Sequence, residues 1–377
     1  MFKTLNLTSP HLPEVAKTFF RLGCIAFGGP AAHIAMMDAE IVEKRKWIDR
    51  QHFLDLIGAT NLIPGPNSTE MTMHCGYERA GVAGLFVAGI CFIFPAVVIT
   101  GFLAWLYVTY GDLPQVEPFI FGIKPAVLAI IAAAIFKLGK KALKSWELAI
   151  LGMAVLIASL LGVNEVVALL VGGVIGALYF SLPHRQSGSL GVLFPVFLLQ
   201  AVGKTVVSIS TLKIFWTFLK VGAILYGSGY VLFAYLDAEL VTKGWLSRSE
   251  LIDAIAVGQF TPGPVLSTAT FIGYQLGGVG GAIAATLGIF LPSFLFVWLL
   301  NPLVPKMRQS KVFGYFLDSV NIAAVAVMLA VLFEMGRDTL VNWQAIVIAG
   351  LSALAVFGSK KVSPMWIVGG GAVLGYL

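Results

Sequence analysis

The chain has 377 residues, 58% of them hydrophobic and only 12% charged, with a mean hydropathy of +0.90. That composition excludes an ordinary soluble protein of two or three domains and leaves a polytopic membrane protein whose solvent is lipid. The net charge of +6 would suit nucleic acid in a soluble protein, but here the bases gather in short connections between apolar runs, the positive-inside pattern of cytoplasmic loops, so no nucleic-acid partner is expected.

The start, MFKTLNLTSPHLPEVAKTFFRLG, lacks the plan of a signal peptide, so the first membrane segment is expected to direct insertion. That segment, 15 to 37, is broken by FGGP at 27 to 30. An amphipathic connection follows at 38 to 50, with EKRKW (43 to 47) on the membrane surface. Short apolar pieces then meet at Pro64 in NLIPGPNSTEMTMHCGY, each below the ~20 residues needed to cross the hydrocarbon core, which makes them half-helices or re-entrant hairpins. Longer spans are expected at about 81 to 108, 118 to 136, 147 to 161 and 166 to 182. Cys24, Cys75 and Cys91 read as reduced, buried small hydrophobes, and no metal framework is expected. Trp47, Trp105, Trp245 and Trp298 fit interfacial belts.

From residue 215 the pattern starts again. Shifting the chain by 199 positions lays TFFRLGCIAFGGP on TFLKVGAILYGSG, a shift of 198 lays NLIPGP on QFTPGP, and a shift of 197 lays CGYERAGVAG on IGYQLGGVGG and Pro95 on Pro292. The expected organisation is a first repeat at 1–182, a linker at 183–214 and a second repeat at 215–377. The fold class is an all-α polytopic membrane protein of two homologous, inverted-topology repeats with broken or re-entrant helices. Inversion follows from the loops. YGDLPQVE (110 to 117) and GVNE (162 to 165) have no base and KLGKKALK (137 to 144) has four, whereas KMRQSK (306 to 311) has three, EMGRDTLVN (334 to 342) one against two acids, and GSKK (358 to 361) two. The charge pattern is swapped loop for loop, an arrangement of many secondary transporters. If the first segment of each half crosses fully, LGVLFPVFLLQAV at 190 to 202 need not cross; if it is a hairpin, that run must.

A helix that starts inside a bilayer leaves about four backbone N–H groups for protein, water or a ligand. Pro66 and Pro264 suit the first helical position, which lacks an N–H without cost. Asn67 and Ser68, or Ser267 and Thr268, then lie in the first turns, and such helix starts favour an anion. Arg21 and Lys220 occupy one repeat position, each two helical turns before a glycine. A base in a membrane segment costs about 2.5 to 3.5 kcal/mol on insertion scales, so each either faces a cavity or substrate or snorkels to the interface. Lys124 is a third base, with Asn321 at its counterpart. Glu70 and His74, four residues apart, can face one another and suggest coupling to protons; the other reading is an ion pair with Arg79 or with a base from another helix. His33 is open in the same way. Asp38 and Glu40 recur as Asp237 and Glu239 and are expected to cap or salt-bridge the following stretch.

With FGGPAAH, NLIPGPNSTEM, YGSGYV and GQFTPGPVLSTATFIGY in hand, the whole chain resembles the chromate ion transporter (CHR) family in its long, two-domain form. The resemblance implies a multi-pass protein of the bacterial inner membrane that exports chromate, with sulfate as the similar oxyanion. It carries the family's breaks onto Gly28, Gly29 and Pro30, onto Pro64, Gly65 and Pro66, and onto Pro262, Gly263 and Pro264. Tyr226 departs from the phenylalanine more usual there; its hydroxyl could contact substrate or only pack. The candidate substrate-binding set is these breaks with Gly227 and Ser228, the first-turn residues and the two matched bases; Glu70, His74 and His33 are the proton-coupling candidates. The expected partners are an oxyanion and the bilayer, with a homodimer left open. No cofactor is expected. No GxxxxGK[ST] supports ATP-driven pumping, and neither HExxH nor GxSxG supports an intramembrane enzyme built on His33, Glu70 and His74. A passive anion channel differs from a transporter in being unable to move substrate uphill.

Overall fold

The computed structural model describes residues 9–27, 29–60, 63–111, 113–181, 210–226, 229, 231–300, 310–358 and 362–377; the run at 190–202 lies outside them. Regular structure among the described residues is entirely helical, which satisfies backbone groups inside lipid. The first repeat comprises α1 (Leu12–Ile25), α2 (Pro30–Met37) running into a π-helical turn (Asp38–Lys44), α3 (Arg50–Thr60), α4 (Asn67–Tyr110), α5 (Glu117–Ala142), α6 (Trp146–Leu160) and α7 (Glu165–Ser181). The second repeats it with α8 (Thr211–Ile224), α9 (Leu232–Leu236) and a π-helical turn (Asp237–Val241), α10 (Arg248–Phe260), a 3-10 turn (Val265–Ser267) into α11 (Thr268–Leu300), α12 (Lys311–Thr339), α13 (Trp343–Gly358) and α14 (Pro364–Tyr376). The starts follow local chemistry: Ser145, Ser210 and Ser310 cap helices through their hydroxyls, and Ser247 forms a capping box with Glu250.

α4 and α11 are not straight rods. Each breaks at one repeat position, Ala80–Gly81 and Gly277–Gly278, where Gly81 (φ 66°) and Gly278 (φ 59°) take the left-handed backbone that glycine tolerates. In a continuous helix Gly76 and Gly84 would lie about 12 Å apart. Instead a Cβ on Gly76 would strike the Gly84 carbonyl, and Gly273 and Gly281 meet in the same way. The arm 67–79 therefore folds back on 82–110, so the expected new span near residue 81 begins at a hairpin. Among the described residues four helices are long and apolar enough to cross a membrane (Asn67–Tyr110, Glu117–Ala142, Val265–Leu299 and Lys311–Thr339), and three shorter ones, α6, α7 and α13, are apolar too.

Within each half the first helix packs on the hairpin, α1 on α4 and α8 on α11. Gly23 and Gly222 make this contact close, since a Cβ on either would strike the carbonyl of Phe92 or Ile289. The later helices are exchanged between halves: α5 packs on α13 and α14, and α12 on α6 and α7. Small residues again allow the approach, with Gly122 against Gly371 and Gly375, and Gly173 and Gly176 against Val320 and Ser319. α4 meets α11 at the centre, where Phe86 and Phe294 stack at 5.5 Å.

Candidate functional site

The four helix breaks, three of them glycine-proline and the fourth YGSG at 226–229, meet in pairs across the two halves. A helix end leaves carbonyls unpaired. That of Leu225, just past α8, accepts from the N–H of Gly65 at 2.6 Å, and that of Ala26, just past α1, accepts from the N–H of Gly263 at 2.8 Å. Positions 26 and 225, and 65 and 263, are repeat counterparts, so two equivalent crossovers result. Gly65 (φ 141°) and Gly263 (φ 89°) hold backbone conformations closed to most side chains. Pro66 and Pro264 are N-caps with extended backbone instead of the expected first helical residues; the Pro66 carbonyl already accepts from the Thr69 and Glu70 N–H groups. Pro30 does open α2, behind Gly29 at φ 79°. Pro64 and Pro262 are buried in the breaks; Gly28, Gly227 and Ser228 lie outside the described residues.

The first crossover contains Glu70, fully buried, with neither carboxylate oxygen hydrogen-bonded among the described residues. A Cβ on Gly65 would land on Glu70 Oε1 and within 2.5 Å of Ser293 Oγ, itself fully buried and without a partner among the described residues, so these two oxygens are neighbours over the bare face of the glycine. Tyr226, from the break after α8, lies in electrostatic reach of Glu70 and packs edge-on against Phe316 at 6.1 Å. Tyr235 closes the far side, its hydroxyl donating to the Ile224 carbonyl at 2.8 Å. His74 is buried one turn further along α4. Arg79 is committed elsewhere, donating to Glu14 at 2.8 Å. Asn67 is half-buried and Ser68 buried at the helix start, where the Ser68 carbonyl accepts from Thr72.

The second crossover has the same backbone and different side chains. Thr268 replaces Glu70 and donates to the Val265 carbonyl at 2.8 Å; Ala96 replaces Ser293 and faces the bare side of Gly263. His33 Nε2 lies 3.0 Å from the Ala26 carbonyl, the acceptor also used by Gly263. A carbonyl only accepts, so Nε2 carries the hydrogen and Nδ1, buried and unpartnered among the described residues, holds the lone pair of the neutral ring. The ring stands edge-on to Phe92 at 5.6 Å. Ser267 Oγ and Gln259 Nε2 are also buried without a partner among the described residues.

The matched bases lie away from these buried groups. Arg21 is on the exposed face of α1, and Lys220, 54% exposed, pairs with Glu239 at 2.5 Å. The recurring acids form salt bridges at repeat counterparts: Asp38 with Arg50 and Asp237 with Arg248, Glu40 with Lys44 and Glu239 with Lys243; Glu40 also pairs with Arg45. Lys124 donates to Ser249 at 2.6 Å and lies 3.5 Å from Asp253. Asp253 and Tyr107 border an apolar cavity of about 320 Å³ between α4, α5, α10 and α14. Among the described residues no three His, Cys, Asp or Glu side chains gather as metal ligands. Sequence reasoning missed Thr69, Ser293, Gln259 and Tyr235. Ser293 had a faint signal, since aligning Pro95 with Pro292 sets it against Ala96.

The chain matches the family model described as "Chromate transporter" twice, over residues 13–177 and 212–376. A chromate transport protein of Cupriavidus metallidurans is 29% identical over 372 residues, covering 97% of this chain and 92% of the relative. One of Pseudomonas aeruginosa is 30% identical over 367 residues, covering 92% and 88%. An uncharacterized transporter of Bacillus subtilis is 29% identical over 176 residues, 44% of this chain but 99% of that relative, a protein of half the length. No solved structure matches. With both repeats matched and full-length relatives covered almost end to end, the chain belongs to the chromate transporter family.

Proposed function

We propose that the protein is a proton-coupled secondary transporter that exports chromate across the bacterial inner membrane and so confers chromate resistance, with sulfate as a competing oxyanion. The observation that carries this reading is the pair of crossovers: four helix interruptions gathered by two equivalent cross-half hydrogen bonds, Gly65 to Leu225 and Gly263 to Ala26. Broken helices at a repeat interface are where secondary transporters bind substrate, and the swapped loop charges support the inverted orientation that lets one half rock against the other. Helix starts at Asn67 and Val265 offer donors to an anion without committing a fixed charge. Arg21, exposed on α1, supplies positive potential beside the first break, and Lys220 does so with its charge partly balanced by Glu239. The carboxyl of Glu70, without a hydrogen-bond partner among the described residues, supports proton coupling, because an isolated charge there costs far more than its neutral form.

The test is chromate flux into proteoliposomes under an imposed pH gradient, with sulfate as competitor. Uphill chromate movement that requires the gradient is expected; downhill-only flux would make the protein a channel, and preferential sulfate flux would reassign the substrate. Glu70→Gln is expected to lose the gradient-driven component. Arg21→Ala and Lys220→Ala are expected to lower flux in protein that still folds, and unchanged flux in both removes those bases from the mechanism.

A further inference from the structure

The two crossovers share a backbone but differ at two positions that touch, and both differences lie in the same crossover. Glu70 and Ser293 converge on the bare face of Gly65; their counterparts Thr268 and Ala96 leave the second crossover without a carboxylate, Thr268 turned to its own backbone and a methyl group facing Gly263. Glu70 comes from the first half and Ser293 from the second, so neither half alone holds the pair.

We propose that Ser293 and Glu70 together form a proton-carrying site over Gly65, and that the oxyanion is left to the second crossover around Gly263, His33 and Ser267. The proposal rests on the transporter reading above and assigns its two ions to separate places. A carboxylate and a hydroxyl that are fully buried, adjacent and, among the described residues, without a hydrogen-bond partner can turn to each other, the hydroxyl donating to the ionised carboxylate as the site takes up and gives back a proton. The space is that of the missing Cβ of Gly65, too small for a tetrahedral oxyanion, which the carboxylate would also repel. Two oxygens fall well short of the six or more that hard divalent cations collect. The second crossover lacks a carboxylate and presents buried polar atoms without partners at Ser267, Gln259 and His33. With its Nε2 hydrogen on Ala26, His33 leaves Nδ1 to accept from the hydroxyl of a singly protonated oxyanion.

Other titratable groups on elements packed against α4 have their own engagements. On α1, Glu14 holds Arg79, and Lys17 and Arg21 are exposed; on α2, His33 holds Ala26. On α3, His52 lies 3.6 Å from Glu78 and Asp55 accepts from Gln51; on α10, Asp253 accepts from Tyr107. Tyr226 faces Glu70 from the end of α8, and His74 is its neighbour along the same helix.

The experiment is infrared titration of the protonated carboxylic acid C=O stretch in purified protein, paired with proton movement during chromate flux in proteoliposomes. A titrating band should disappear in Glu70→Gln. In Ser293→Ala the band should remain with its midpoint raised by about one pH unit, as expected for losing one hydrogen bond to the ionised carboxylate, and protons moved per chromate should fall. Ser293→Thr, which keeps the hydroxyl, should restore both, and Ala96→Ser in the other crossover should leave the band unmoved. An unchanged midpoint in Ser293→Ala overturns the proposal, as does a raised KM for chromate without a midpoint shift, which would put Ser293 at the oxyanion. If wild-type protein moves no protons with chromate while the band still shifts in Ser293→Ala, the coupled-transporter reading fails and the Glu70–Ser293 pair stands.

Discussion

A methyl group is enough to separate a spacing requirement from a conformational one. In Gly65→Ala the new Cβ meets the Glu70 carboxylate and the Ser293 hydroxyl at a φ of 141°, so a loss of more than about 2 kcal/mol is expected. Gly162 also has a positive φ, 89°, but nothing within 4 Å of its missing Cβ; Gly162→Ala should cost only about 1 kcal/mol. Thermal unfolding of the two purified variants checks the ranking. Glu14 offers a pH test. Its hydrogen bond from Arg79, aided by Trp47 and Arg45 and opposed by burial, holds the carboxyl below its ordinary 4.5. Because the folded value is depressed, the stabilisation is complete above the unfolded value and is lost as pH falls through the folded one. Melting temperature should therefore fall on acidification below about 4.5, and Glu14→Gln should show a smaller fall. At this scale the sequence exposed Glu70 through its absence from the second copy. For Ser293 it offered only the contrast with Ala96, because its relevance depends on a residue more than two hundred positions earlier being its neighbour. Nor could it show that Arg79 is taken by Glu14.

The hairpins set the requirements of the helices. Gly76 and Gly84 let two arms of α4 touch backbone to backbone, and Gly273 and Gly281 do so in α11. Gly76→Leu and Gly273→Leu should each prevent closure and sharply lower the yield of monodisperse protein in size-exclusion chromatography. Gly350→Leu, on α13 with open space around it, should not. The elements themselves were readable, because Pro64, Pro66 and Pro264 punctuate apolar runs too short to span. The one-residue misplacement of Pro66 and Pro264 has a simple cause: proline suits both the N-cap and the first turn, and only the backbone angle of each distinguishes them. The helical spacing of Arg21 and Lys220 gave a face, but not whether that face turns inward; Glu239, nineteen residues beyond Lys220, takes its charge.

For the whole molecule, exchange is the governing fact. α5 is packed by α13 and α14, and α12 by α6 and α7, so each half completes the other. Residues 1–209 and 210–377 expressed as two chains should be recovered together by a tag on either one, and each expressed alone should be degraded; stable recovery of a lone half would contradict the exchanged packing. Self-alignment revealed that there are two copies and the loop charges suggested opposed orientations. Similarity between copies says nothing about which helix packs on which, so the exchange became visible only in three dimensions.

The exchange also orders the protein's birth. α5, α6 and α7 are synthesised well before α12 to α14, and at ordinary rates of elongation the last of their partners follows on the order of ten seconds or more later. For that interval the glycine-lined faces at Gly122, Gly173 and Gly176 have no protein to meet, and the nascent first half waits in the bilayer with these grooves open to lipid or to an insertion chaperone.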